Sequence, residues 1–190
     1  MVCGGMLKQA IYSLDDGMKE LGRELNINSI AEIVQEHAIL TAASAAASGS
    51  IPGAGGVIAL GIACTSTATM YGRLANAIGV RLNNGLIRAL ASAVTADLSA
   101  AIASNLVVSA ALSFIPGVGT MAASALTAIT NYGFIYLAGL IFIKMVVALG
   151  VTHMEHATED DMKAAAKNAQ SAINIKDAMK EAKNCYKKQS

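Results

Sequence analysis

Aromatic and charged residues are both scarce in this sequence of 190 residues. Aromatic side chains make up 4% of it, tryptophan does not occur, and charged residues reach only 14%, whereas an ordinary soluble domain carries about 25%. The chain has two prolines and no linker rich in Pro, Gly or Ser, so its length suits one domain with terminal arms. Hydrophobic residues make up 54%, which excludes intrinsic disorder.

Cysteine and net charge are low as well, with three cysteines and a formal net charge of +1. Three cysteines are too few for a disulfide framework, and no basic segment followed by an apolar run marks a secretory signal. We therefore expect a protein that stays inside the cell with reduced thiols, and we expect Cys64 to be a small core residue. The small net charge gives no basic field, so no nucleic-acid partner is expected.

The charges that do occur divide the chain into three segments. Residues 1–37 predict an amphipathic N-terminal helical arm, residues 38–152 a hydrophobic helical-hairpin core, and residues 153–190 a charged amphipathic C-terminal helix. The charged side chains within 38–152 are Arg73, Arg81, Arg88, Asp97 and Lys144.

Two stretches of the core segment carry no charge at all, residues 38–72 and 98–143. Each is longer than the roughly 20 apolar residues that a membrane-spanning helix needs. The strongest candidate span is residues 132–149, where the only charge lies near one end and can reach the interface. The alternative is an Ala-rich helix buried in a soluble bundle.

The N-terminal arm has apolar residues at alternating spacings of four and three, the period of a helical seam. This seam predicts either an oligomerisation surface or a face packed on the chain's own core. Ser29 and Glu32 form a capping-box pattern that predicts the start of a second helix, and Thr158 is a candidate N-cap in the C-terminal arm. The seam residues are Leu7, Ile11, Leu14, Met18, Leu21 and Leu25.

An internal repeat is the most specific feature of the sequence. The run Ile-Pro-Gly-Ala-Gly at 51–55 returns as Ile-Pro-Gly-Val-Gly at 115–119, and each copy is followed by a helical run ending in Tyr-Gly. Proline ends a helix and glycine permits a tight reversal, so each copy predicts the corner of a helical hairpin. The fold class expected is all-α, with two apolar hairpins in an approximate internal repeat between amphipathic terminal helices. The corner residues are Pro52, Gly53, Gly55, Pro116, Gly117 and Gly119.

Arg73, Arg81 and Arg88 lie in the segment that connects the two hairpins. Their spacings of eight and seven predict one helical face, although the sequence Asn-Asn-Gly at 83–85 can interrupt the helix. We expect these arginines to contact anionic lipid headgroups from the cytoplasmic side, with both termini on that same side. The alternative is a solvated helix face.

The repeated corners, the Tyr-Gly pairs and the long Ala/Gly-rich runs resemble the domain-of-unknown-function 697 family over residues 38–150. That domain is typically found beside Era-like GTPase domains in bacteria, and the resemblance implies membrane association. This chain has no Gly-x-x-x-x-Gly-Lys-Ser/Thr loop, so any nucleotide-driven role implies a separate protein partner. The resemblance supplies no catalytic residues.

The sequence predicts no catalytic residue, no metal site and no cofactor. The glycines at 53–56 lack the preceding strand and following lysine of a phosphate loop. His153 and His156 are one turn apart without a closed ligand set, and His37 stands alone at the edge of the apolar run. Asp97 needs an arginine partner if it is buried.

Three functions fit these features. The first is a non-catalytic membrane-associated helical protein that binds lipid and self-assembles, as a homo-oligomer, into a scaffold or coat. The second is a pore-forming or membrane-permeabilising protein, which requires a water-lined path. The third is a soluble all-helical homo-oligomer that buries its apolar hairpins between subunits.

Overall fold

The computed structural model describes residues 3–48, 55–110 and 119–189, with side chains described within 3–47, 61–102 and 127–189. The regular structure of these ranges is entirely helical, which confirms the all-α class. Eight helices make up the described chain: α1 Gly5–Glu20, α2 Ile27–Ser48, α3 Gly55–Ile78, α4 Asn84–Ala110, α5 Gly119–Leu149, α6 Val151–Met154, α7 Glu159–Ser171 and α8 Ile175–Gln189.

Helix α5 is the centre of the fold. It is 31 residues long, and every residue from Tyr132 to Ile143 is buried, around the whole circumference of the helix. A helix that is apolar on all sides has no face for water, so it must be covered on all sides. Helix α2 is its main neighbour, and α1, α3, α7 and α8 also pack against it.

The closest approach between α2 and α5 depends on a glycine. A Cβ added at Gly139 of α5 would lie 2.8 Å from both methyl carbons of Val34 on α2. That separation is shorter than carbon atoms tolerate, so the valine side chain occupies the space that a larger residue would need. Gly139 therefore sets how near α2 lies to the central helix.

The ends of the helices follow local capping chemistry. The backbone N–H of Ser29 donates to Asn26 Oδ1 at 3.0 Å, so Asn26 caps α2 and the predicted start at Ser29 is wrong. Thr158 caps α7, and Asp161 completes a reciprocal capping box with it, which confirms that prediction. Asn174 Oδ1 accepts from the N–H of Asp177, so the predicted single C-terminal helix is divided into α7 and α8 after the short α6.

The predicted hairpin corners fall mostly outside the described residues. Pro52, Gly53, Pro116 and Gly117 lie outside them, while Gly55 and Gly119 are the first residues of α3 and α5. Helices α2 and α3 pack along each other, but α4 packs chiefly on α3 and α7 and only lightly on α5. The residues that would join α4 to α5 in the second predicted hairpin, 111–118, lie outside the described residues, so that hairpin stays a prediction.

Replacing Gly139 with alanine should lower the free energy of unfolding by about 1–3 kcal/mol, because the added methyl group overpacks the contact with Val34. Adding Val34→Ala to this variant should recover part of the loss. The matched control is Gly17→Ala in the exposed part of α1, where an added Cβ meets nothing within 4 Å, and where stability should rise by about 0.5–1 kcal/mol. Denaturant unfolding measures all three; equal effects of Gly139→Ala and Gly17→Ala would contradict the close approach.

Candidate functional site

A disulfide bond joins the two ends of the chain. Cys3 and Cys185 are bonded, with their Cα atoms 5.7 Å apart and a separation of 182 positions in sequence. The expectation that all three thiols are reduced is therefore wrong for this structure, because the fold brings the residue before α1 against the last turns of α8. Cys64 is the free cysteine, and it is half-buried on α3.

Polar groups beside the disulfide connect α1, α5 and α8. Glu181 of α8 accepts a hydrogen bond from the backbone N–H of Met6 at 2.9 Å, and the hydroxyl of Tyr136 on α5 donates to the same carboxylate. The N–H of Leu7 donates to that hydroxyl oxygen at 3.3 Å. The first N–H groups of a helix lack partners within it and carry partial positive charge. Glu181 and Tyr136 thus cap α1 from two other helices.

Gly4 completes this arrangement. Its φ of 101° is a conformation that side-chain-bearing residues rarely adopt, and a Cβ there would overlap Tyr136 Oη and Glu181 Oε1. The chain therefore needs glycine where it turns between the disulfide and α1. We call this set of contacts the terminal cluster; its members are Cys3, Gly4, Met6, Tyr136, Glu181 and Cys185.

The N-terminal seam packs inside the same chain. Leu7, Ile11, Leu14 and Met18 are all at most 3% exposed in the core of the chain itself. Gly22, with a φ of 68°, follows the end of α1 at Glu20, so the last two predicted members lie beyond the helix. Of these, Leu21 is 46% exposed and Leu25 is half-buried against the core. The structure thus places the seam on the chain's own core, the second of the two alternatives.

A second polar arrangement lies between α2 and α3. His37 Nδ1 is 3.3 Å from Ser66 Oγ, and the hydroxyl of Thr41 donates to Ser66 Oγ at 2.6 Å. Arg73 Nη1 lies 3.3 Å from His37 Nε2 and 2.8 Å from Glu36 Oε2. We call these five residues the His37 cluster; three of them, His37, Thr41 and Ser66, line a groove of about 510 Å³ on the α2–α3 surface.

The hydrogen-bond directions determine the tautomer of His37. A guanidinium can only donate, so Nε2 accepts from Arg73 and the ring proton sits on Nδ1, where it faces Ser66. A serine nucleophile needs an acceptor at that position, to take its proton. Here Ser66 receives hydrogen bonds from both His37 and Thr41, so the imidazole does not act as its base in this arrangement.

Burial, followed by the positive charge of Arg73, lowers the pKa of His37 below its ordinary value of 6.5, while Glu36 opposes the shift. The folded chain thus keeps this imidazole neutral at pH values where the unfolded chain protonates it. Where the unfolded state binds more protons, stability rises with pH. The contribution of His37 is therefore complete above pH 6.5 and is lost as the pH falls from there through the lowered pKa.

The three arginines predicted to contact lipid headgroups are on the surface. Arg73, Arg81 and Arg88 are all exposed, but they do not share a helix, because α3 ends before Gly79, whose φ is 78°, and α4 begins at Asn84. The prediction of one helical face is wrong for this reason.

Asp97 is also exposed, so it does not need the arginine partner that a buried carboxylate would require. His153 and His156 are likewise exposed. Among the described residues, no group of three or more His, Cys, Asp or Glu side chains is placed to hold a metal ion.

No protein-family model, no curated protein and no solved structure matches this chain. The resemblance to the domain-of-unknown-function 697 family therefore stays a prediction.

The sequence offers only a weak signal for either cluster. Each amphipathic arm carries one cysteine, which is a hint that the arms meet. The residues of the His37 cluster are separated by up to 37 positions, from Glu36 to Arg73, and nothing in their spacing relates α2 to α3.

Breaking the disulfide should destabilise the fold. Cys185→Ser should lower the free energy of unfolding by about 2–5 kcal/mol, because the unfolded chain regains the freedom that the cross-link removes. Cys64→Ser is the matched control, since it leaves the bond intact and should change stability much less. Denaturant unfolding with and without reductant provides the measurement; insensitivity of the native protein to reductant would contradict the bond's role.

Removing the charge of Arg73 should raise the pKa of His37 toward 6.5. This pKa can be measured by proton NMR titration of the His37 ring in the Arg73→Gln variant. The His37 signal is assigned as the one that disappears in His37→Gln. Arg88→Gln, which removes an exposed arginine of α4, should leave the titration unchanged. Equal titration of His37 in the native protein and in Arg73→Gln would exclude the proposed hydrogen bond.

Proposed function

We propose that this chain is a non-catalytic membrane-associated helical protein that self-assembles on the bilayer as a scaffold or coat. The form described above is its closed form. In it, α1, α7 and α8, which we call the shell helices, cover α5. Release of the shell helices exposes α5 to lipid.

The observation that carries the proposal is the combination of length, hydropathy and cover on α5. The segment Thr127–Leu149 has 23 residues and a mean hydropathy of 2.1, and 78% of its most apolar window is buried. Asn84–Ile102 on α4 has 19 residues and a mean hydropathy of 1.4, with 33% buried. Both are long enough to cross a bilayer. Lipid can replace protein around α5, because acyl chains can contact the same apolar side chains that the neighbouring helices bury.

The terminal cluster supports a controlled release. The disulfide holds α8 against the start of α1, and both pack on α5, so α5 is not exposed while the bond persists. Reducing compartments such as the cytoplasm keep thiols reduced, and an attacking thiol would reach the bond from the side of Cys3, which is half-buried, since Cys185 is only 2% exposed. A position on the cytoplasmic side of a membrane therefore favours the open form. The closeness of Cys3 and Cys185 supports placing both termini on the same side.

The connector arginines support contact with anionic lipid. Arg81 and Arg88 are exposed and form no ion pair with the described carboxylates. Near an anionic membrane surface each such cation contributes about 1 kcal/mol. Arg73 is already paired with Glu36 and His37, so we expect the other two to contribute more.

Self-assembly follows from the same release. The seam of Leu7, Ile11, Leu14 and Met18 is buried in the closed form and becomes available to a second copy once α1 leaves α5. An exposed apolar stripe with this spacing pairs with another helix or lies on the membrane. The permeabilising alternative uses the same helices but needs a water-lined path between copies.

The burial of α5 also favours a second candidate, a soluble helical protein. A core helix enclosed by its neighbours has the same length and hydropathy as a membrane span. In that case the closed form is the working form, and the disulfide only stabilises it.

Flotation with dye-filled vesicles of phosphatidylcholine and phosphatidylglycerol distinguishes these functions. We expect the oxidised protein to stay in the supernatant and the reduced protein, or Cys185→Ser, to float. Retained dye then indicates a scaffold, and released dye a pore. Failure of every form to float, with a soluble species on size exclusion, would replace the proposal with the soluble candidate.

The paired variant Arg81→Glu with Arg88→Glu should reduce flotation of the reduced protein severalfold. Lys183→Glu with Lys187→Glu is the matched control, since it changes the net charge equally but lies on exposed positions of α8. Equal losses in both pairs would mean that net charge, and not the connector, attracts the lipid.

A further inference from the structure

A half-open groove of about 580 Å³ lies between α1, the last turns of α5 and the turn that joins α7 to α8. Its walls are mainly apolar, with Ala10 from α1, Val147 from α5, and Ile173 from the turn. Its volume is within the roughly 300–1,000 Å³ typical of small-molecule sites. We call it the Lys144 groove.

Lys144 is the only charged residue that lines this groove. It is half-buried, and no ion pair joins it to a carboxylate in the described part of the chain. It is also the one charge of the segment Thr127–Leu149. The hydrocarbon stem of a half-buried lysine can pack on apolar surface while its ammonium group remains hydrated, and here that group supplies the one charge on the wall of a mainly apolar groove.

The surroundings of Lys144 resemble a site for a molecule with one charged end. Gln9, Asn168 and Asn174 line the groove as neutral polar groups, and amide N–H groups can donate to an oxygen anion beside the lysine. Val147 is a large apolar residue left 41% exposed at the same wall. One cation beside an apolar surface complements a ligand with one negative charge and a hydrocarbon chain.

A smaller groove of about 230 Å³ continues from the first, sharing Ser13 and Val147 with it. It extends between α1 and α5 toward Gly17 and Leu21, and Glu20 lines it. A carboxylate at this end would be repelled by Glu20 and attracted by Lys144. The two grooves together therefore form an apolar channel that favours one orientation of an anionic ligand, with its charged end at Lys144 and away from Glu20.

We propose that the Lys144 groove binds a long-chain fatty acid as its carboxylate. The carboxylate pairs with Nζ of Lys144, and the hydrocarbon chain lies along Ala10, Val147 and Ile173 and continues between α1 and α5. A single carboxylate matches the single lysine. The site exists only in the closed form, because α1, α5 and the α7–α8 turn must be together to build it.

The test titrates the oxidised full-length protein with a fluorescent long-chain fatty acid below its micelle concentration, without vesicles. We expect saturable binding of one molecule per chain. Lys144→Gln should weaken the binding about tenfold or more, because a charged pair is lost, whereas Lys144→Arg should retain it. The matched control is Lys163→Gln on α7, which should bind as the native protein does.

A second measurement does not depend on the folding of any variant. The native protein should bind the fatty acid about tenfold more tightly than the alcohol of equal chain length, since only the acid carries the charge. Absence of saturable binding, equal binding of acid and alcohol, or undiminished binding by a folded Lys144→Gln would each overturn the proposal. Because no bilayer is present, these results are independent of whether the protein floats with vesicles.

Discussion

The burial of α5 is the constraint on which the rest of the structure depends. Its side chains are apolar around the whole circumference, so no orientation of the helix leaves a face that water can accept. Helix α2 covers one side at the distance that Gly139 permits. The remaining sides need α3 and the three shell helices, which explains why a chain with so few charges carries an amphipathic helix at each end.

The shell helices are held by narrow apolar faces and by contacts at the chain ends. In the terminal cluster, one carboxylate on α8 caps α1 and also accepts from Tyr136 on α5. Chain ends are where proteins open first, and here the two ends are bonded to each other. A few interactions at the chain ends therefore keep the shell helices on α5. Among the described residues, the disulfide is the only one of these interactions that is covalent.

The sequence predicted the helical class, the central apolar helix and the cap at Thr158, because each depends on neighbouring residues along one helix. It did not predict the pairing of Cys3 with Cys185 or the contact between His37 and Ser66. Both contacts join different helices, and the periodicity within a helix does not indicate which other helix it packs against. The arginines at 73, 81 and 88 show a related error. Their spacing implied one face, but Gly79 ends α3 between them.

The groove at Lys144 and the exposure of α5 exclude each other, because the walls of the groove come from both α5 and the shell. A ligand that binds only the closed form adds RT ln(1 + [L]/Kd) to the free energy of opening, about 2.7 kcal/mol at a concentration of 100 Kd. This is comparable with the contribution expected of one disulfide. If the chain inserts into a membrane as proposed, a fatty acid in the groove would oppose insertion even in the reduced chain, and opening of the groove at the bilayer would release it.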